Sequence, residues 1–202
     1  MGKTETAMGV LLAGAGYRVT VKPPAASTAD MGCKASSEAL DIYGRLQGIQ
    51  ERTLLTSGRW DIAVEGNLLI EVDEQEHFNR HRATTLEGTS YPWTADYRRY
   101  CTEHESRCRT YGGYWASGSS SAMFGPASPQ GDHTGVGAPR WRQRALYDAV
   151  RDVWARDNQV WKLARVSIYD VVDGVRFRDV LDGRSRIAPE RLREMIESRT
   201  LA

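Results

Sequence analysis

Asp61, Glu71 and Asp73 are the residues whose type and spacing speak most directly of chemistry. They lie in two apolar runs, residues 60–64 (Trp-Asp-Ile-Ala-Val) and 68–73 (Leu-Leu-Ile-Glu-Val-Asp), separated by Glu65-Gly66-Asn67. A three-residue link of that composition predicts a β-hairpin with Val64 opposite Leu68 and Asp61 opposite Glu71. Side chains alternate along a strand. Asp61, Ala63, Leu69, Glu71 and Asp73 therefore share one face, and Ile62, Val64, Leu68, Ile70 and Val72 share the other. Carboxylates crowded on a sheet face repel and lose hydration as the sheet packs. A hard divalent cation relieves both effects, because oxygen is the ligand Mg²⁺ takes. Such an ion polarises a phosphodiester and turns bound water into a nucleophile. The alternative is an exposed face on which the three acids are merely solvated.

The second strand runs on as Glu74-Gln75-Glu76-His77-Phe78. Asp61-x9-Glu71-x-Asp73 followed by His77 resembles the nuclease core of the PD-(D/E)XK superfamily. It is most similar to the very-short-patch-repair-like endonuclease domains, where a strand ending in Glu-Val-Asp precedes a histidine. The resemblance implies an α/β fold: a mixed central β-sheet flanked by helices, a restriction-endonuclease-like core. It also implies Mg²⁺ or Mn²⁺ on Asp61, Glu71 and Asp73, and a further acid from an N-terminal helix, matched by Glu5. A helix and then a strand follow the core in that superfamily, and residues 140–172 have that order. Gln143 and Tyr147 have the Gln-x3-Tyr spacing seen in some of its branches. Residues 60–62, 77–80, 90–93 and 138–141 resemble an uncharacterised bacterial family of the same kind. One position departs: the usual lysine two residues after the Glu is Asp73 here. The repair-like branch also lacks that lysine and uses histidine, which implies His77 as base or acid. Positive charge must then come from elsewhere, with Arg80, Arg82, Arg144 and Lys162 as candidates.

Other residues invite weaker readings. His77-x-Asn79-x-His81 is too tightly spaced for a His-Asn-His nuclease, and His81 reads as a surface or phosphate-contacting residue. Cys101, His104 and Cys108 share a helix face, yet C-x2-H-x3-C is not a standard zinc pattern, so structural zinc is not expected even with Cys33 as fourth ligand. Arg140, Arg142, Arg144 and Arg151 recur along one helix, beside Gln143. Arginine at a helix start opposes the dipole, so a phosphate backbone is one partner for Arg140, Arg142, Gln143 and Arg144; ordinary ion pairs with Asp148 are the other. Tyr111, Tyr114 and Trp115 stand in a Gly-rich stretch, where rings stack on unpaired bases or hold the loop down as a small core.

The elements that must position these groups follow from periodicity. Helices are predicted over 4–13, capped by Thr4, over 36–50 with Leu40, Tyr43, Leu46 and Ile49 on one face, over 94–109, over 140–157 and over 189–199. Strands are predicted over 17–21, 160–172 and 175–180 besides the hairpin. Residues 110–139, rich in Gly, Ser and Pro, read as loop, and 83–139 as an insertion within one nuclease-like domain spanning 1–202.

The 202 residues carry 27 Lys+Arg against 26 Asp+Glu, so net charge neither favours nor excludes nucleic acid, and any basic patch is local. Only four residues are lysine. No apolar run reaches the roughly 20 residues of a membrane span. Glu5 sits where a secretion signal would be basic, and three cysteines make no disulfide framework, which points to the cytoplasm. The expectation is a Mg²⁺-dependent endonuclease acting on DNA in restriction, defence or repair, a homodimer if it cuts both strands. The rival is an inactive nucleic-acid- or protein-binding module on the same core.

Overall fold

The computed structural model describes residues 2–51 and 53–201. Its centre is a four-stranded mixed sheet in the order β1-β2-β3-β6. β1 (Ile62–Val64) and β2 (Leu68–Asp73) form the antiparallel hairpin, and Val64 pairs with Leu68 as the loop length requires. Asn67 and Gly66 adopt positive φ in that loop, a conformation Gly and Asn reach at least cost. β3 (Lys162–Ser167) runs parallel to β2 and β6 (Thr200–Leu201) antiparallel to β3. Glu71 stands beside Arg165, and Asp73 beside Ser167.

Helices cover both faces. α1 (Lys3–Gly14), α7 (Phe177–Leu181) and α8 (Pro189–Ser198) pack Met8, Leu12, Phe177 and Ile196 onto Ile62, Ile70, Val72 and Val166. On the other face lie α2 (Cys33–Arg45) and α6 (Pro139–Asp157), whose Ile42, Leu146, Ala149 and Val153 meet Ala63, Leu69 and Leu163. The two-faced burial follows from the parallel β2–β3 pair, which needs a helical crossover over the sheet. The acid-bearing face of the hairpin is thus the one under α6, not a solvated one; Glu71 is 2% exposed and Asp73 1%.

α3 (Arg80–Thr85), α4 (Thr94–His104) and α5 (Gly118–Phe124) join the α2–α6 side. Phe78 packs edge-on against Tyr97 and Tyr100 of α4, which ties residues 83–139 into the same core. Trp115 and Trp141 form a separate small core with Cys108 and Ala138.

Four local expectations are corrected. Residues 17–21 make a single bridge, Val19 to Val64, instead of a strand, since β1 offers them only three residues. Residues 175–180 do not continue as strand: a two-residue hairpin, β4 (Val171–Val172) with β5 (Val175–Arg176), gives way to α7. Phe177, Val180 and Leu181 are buried at helical spacing, and that burial decides the period. α2 stops at Arg45, Gln47 takes φ +62°, and Ile49 is left 63% exposed. α1 starts after Gly2 and Thr4 does not cap it; Glu5 Oε2 instead accepts from the Gly2 amide at 3.1 Å. Among the described residues no helix is long and apolar enough to cross a membrane.

Candidate active site

The hairpin register puts Asp61 beside Glu71. The Asp61 amide donates to Glu71 Oε1 at 2.9 Å, and Asp61 Oδ2 accepts from the Val72 amide at 2.9 Å. Both carboxylates line one cavity of about 380 Å³. Thr4 and Glu5 of α1 and Glu74 and His77 beyond β2 line it too. The remaining wall is one stripe of α6: Arg140, Arg144, Tyr147, Asp148 and Arg151. Spacings of three and four place these residues on one helical face, while Ala145, Leu146, Ala149 and Val153 turn to the core. The cavity is therefore acidic on its strand side and rich in guanidinium groups on its helix side.

Burial pushes the Glu71 carboxyl well above the ordinary carboxylate range, with Arg151 opposing and the Asp61 charge adding to the rise. Burial also raises Asp61, against the pull of the Val72 amide. The pair thus holds a proton more tightly than free carboxylates do. Arg151 Nη1 lies 3.3 Å from Glu71 Oε2, but it is shared with Asp148 Oδ1 at 3.2 Å.

Asp73 does not join this pair. Arg165 Nη1 donates to both of its oxygens at 2.9 and 2.8 Å. The same guanidinium, wholly buried, donates from Nε to Asp152 Oδ1 at 2.6 Å and from Nη2 to the Asp148 carbonyl at 3.2 Å. The expected set Asp61, Glu71 and Asp73 is thereby split. The group whose ligand atoms converge, among the described residues, is Asp73, His77 and Asp148, all within 4.8 Å, and it could hold a metal ion. His77 Nδ1 lies 2.7 Å from Asp148 Oδ2 and 3.1 Å from Asp73 Oδ1. Burial works against the Asp148 charge, yet His77 and Arg165 hold that carboxyl far below its usual range.

Glu5 reaches the cavity from α1 with its Oε1 2.5 Å from Lys22 Nζ. Burial raises its carboxyl, but Lys22 and the Gly2 amide together bring it below the ordinary value.

The expected nucleic-acid contacts divide sharply. Arg140 and Arg144 line the cavity, Arg140 donating to Gln143 Oε1. Arg80 is half-exposed and fastened to Glu105 by its Nε at 3.0 Å. Arg82 is corrected to a core residue: it is 1% exposed and paired with Asp152 at 2.7 Å. Arg142 is buried and donates to the Leu46 carbonyl at 2.9 Å, and buried Gln143 donates to Tyr147 and Ser119. Lys162 is exposed at the start of β3, away from the cavity lining.

Asn79 is the cap of α3, its Oδ1 accepting from the His81 and Arg82 amides. Burial, with Arg142 and Arg80 nearby, drives His81 down to about 3, so it carries no charge for a phosphate at neutral pH. Cys108 Sγ donates to the Gln75 carbonyl and His104 stacks on Tyr169. Of the aromatics singled out, Trp115 is buried, Tyr114 half-buried and Tyr111 exposed.

Arg151, Asp148 and Arg165 matter most to the site and were not singled out for it from sequence. The first two were within reach, since Arg140, Arg144, Asp148 and Arg151 recur at helical spacing. Arg165 sits in an apolar strand, where a lone charge demands a buried partner. No curated protein and no solved structure matches the chain. One family model does match, over residues 41–183, a stretch holding every cavity residue except Gly2, Thr4 and Glu5; it describes a family of unknown function (DUF7255), and the chain belongs to that family.

Proposed function

We propose that the chain is a divalent-metal-dependent phosphodiesterase, a DNA endonuclease of restriction, defence or repair type on a restriction-endonuclease-like core. One observation carries this reading: half-buried Asp61 and buried Glu71 line one cavity together with Arg140, Arg144 and Arg151 of α6. Acids that favour a hard cation and arginines that favour phosphate oxygens then face the same space.

The donor set fits Mg²⁺ or Mn²⁺. Asp61 and Glu71 offer carboxylate oxygens, and both carboxyls are raised chiefly by burial, which Arg151 offsets only in part. Asp73 is satisfied by Arg165, so in this reading it braces the site and does not ligate first. The ion, when bound, supplies Lewis-acid polarisation of the phosphodiester and a more acidic water. Arg140 and Arg144 orient the phosphate and offset charge that builds on it. Glu5, ion-paired to Lys22, shapes the acidic end. His77 is fixed through Nδ1 by Asp148, leaving Nε2 as the nitrogen that takes a proton from water or gives one to the leaving oxygen. Cutting of both strands would call for a two-fold dimer.

A plasmid cleavage assay with Mg²⁺ or Mn²⁺ tests the reading on wild type, Asp61→Asn and Glu71→Gln. Cleavage by wild type, lost in both variants while melting stays cooperative, is the expected result. Equal cleavage by all three would mark a contaminant and end the proposal. The rival, an inactive binding module, is favoured by Arg151, which meets part of the Glu71 charge without any ion; it expects DNA binding that is indifferent to metal.

A further inference from the structure

A second cavity, of about 340 Å³, opens beside the acid pair, and Glu5 and Asp61 line both. Its character is the reverse of the first. Val10 and Ala13 of α1 face Val19 and Ile62 across it, and Lys22 stands among its lining residues. Val10 is 69% exposed and Val19 56%, so apolar surface is left open to solvent next to a cavity lined by carboxylates and arginines.

α1 supplies one side of this cleft. Gly9 lies in the middle of the helix, where glycine is a poor choice for stability. It lines the cleft, its φ is not one that demands glycine, and a side chain there would meet no atom within 4 Å. Backbone geometry and packing therefore give no reason for glycine at this position, and what its missing side chain leaves is open space in the cleft.

We infer that the cleft takes the base of the nucleotide adjoining the scissile phosphate. This rests on the phosphodiesterase reading. A phosphodiester seated between Asp61 and the arginines has a nucleoside on each side, and the shared residues Glu5 and Asp61 make the apolar cleft the immediate neighbour of that phosphate. A base is flat and largely apolar on its faces, with polar edges that Lys22 and the rim can meet. A base enters such a cleft only when it is unpaired, so the substrate is a single strand, a flap, or a duplex from which one nucleotide is extruded.

The test compares cleavage of a labelled single-stranded oligonucleotide, the same strand with abasic sites, and a perfect duplex, by wild type, Gly9→Ala and Gly9→Leu. Mn²⁺-induced thermal shifts are recorded for all three proteins. Wild type should prefer the base-bearing strand over the abasic one and over the duplex by about tenfold or more in kcat/KM. Gly9→Leu fills the cleft and should cut base-bearing and abasic strands alike, at the abasic rate, with its Mn²⁺ shift intact. Gly9→Ala should fall between. Asp61-dependent cleavage that ignores both the missing base and Gly9→Leu would overturn the base cleft while leaving the nuclease standing. Absence of any Asp61-dependent cleavage would remove the phosphodiesterase reading and this inference with it.

Discussion

Asp61 and Glu71 are the residues on which the proposed chemistry turns, and their charge leaves a thermodynamic mark. Both carboxyls hold folded-state values above their unfolded ones. Such groups contribute stability that is whole below the ordinary carboxylate range and is lost as pH rises through the raised values. Without added metal, the melting temperature should therefore fall by several degrees from about pH 5 to about pH 8, since one pKa unit corresponds to about 1.4 kcal/mol and each kcal/mol to about 2–4 °C at this size. Glu71→Gln keeps the shape and removes the charge, so it should flatten that fall, and Mn²⁺ should raise the wild-type melting temperature more at pH 8 than at pH 6. A wild-type profile as flat as that of Glu71→Gln would contradict this. In the proposed phosphodiester cleavage, losing either acid should forfeit several kcal/mol of transition-state stabilisation, or on the order of 10³-fold in rate. His77→Ala should lose about 10²–10⁴-fold. Asp148→Asn, which weakens the hold on the His77 imidazole and on Arg151, should lose less, about 10–100-fold, with a displaced pH optimum; an unmoved optimum would deny Asp148 its part in orienting the imidazole.

At the scale of elements, the site is the meeting of the β1–β2 hairpin, β3 and one face of α6. Arg165 is the joint. It stands on β3 and is held by Asp73 of β2 and by Asp152 and Asp148 of α6. Asp152 in turn takes Arg82 of α3. Removing one partner from such a network leaves buried charge uncompensated, which costs about 3–5 kcal/mol. Arg165→Met should lower the melting temperature by about 6–20 °C, measurable by calorimetry or denaturant titration. A change under 2 °C, on the order of half a kcal/mol, would show that the network does not bind the helix to the sheet.

At the scale of the molecule, near-neutral overall charge leaves no long-range attraction for nucleic acid. In the proposed function, affinity for DNA comes from the few arginines that the fold gathers. In a salt titration of DNA binding, Arg140→Ala and Arg144→Ala should each weaken binding and reduce the log–log slope by about one. Arg80→Ala should change it little, since Glu105 already holds that guanidinium. Slopes that are the same in all variants would move the interface elsewhere.

How much of this was written in the sequence divides along the range of the interactions. The hairpin, its register, the three-carboxylate face and the long helices are set by alternation, turn residues and helical spacing, all of which act over a few positions. Local spacing fixed the pairing of Asp61 with Glu71, because a two-residue alternation leaves no other face for them. It could not say that α6 would lie over that face, because the parallel β2–β3 contact brings together residues nearly a hundred positions apart. That contact turned Asp73 from an expected ligand into the partner of Arg165. The same packing sealed Arg82 inside the core and made Arg144 and Arg151 a wall of the cavity. An arginine's chemistry belongs to its residue type, but whether it meets a phosphate or a buried aspartate is decided by burial and long-range packing, and only the tertiary structure sets those.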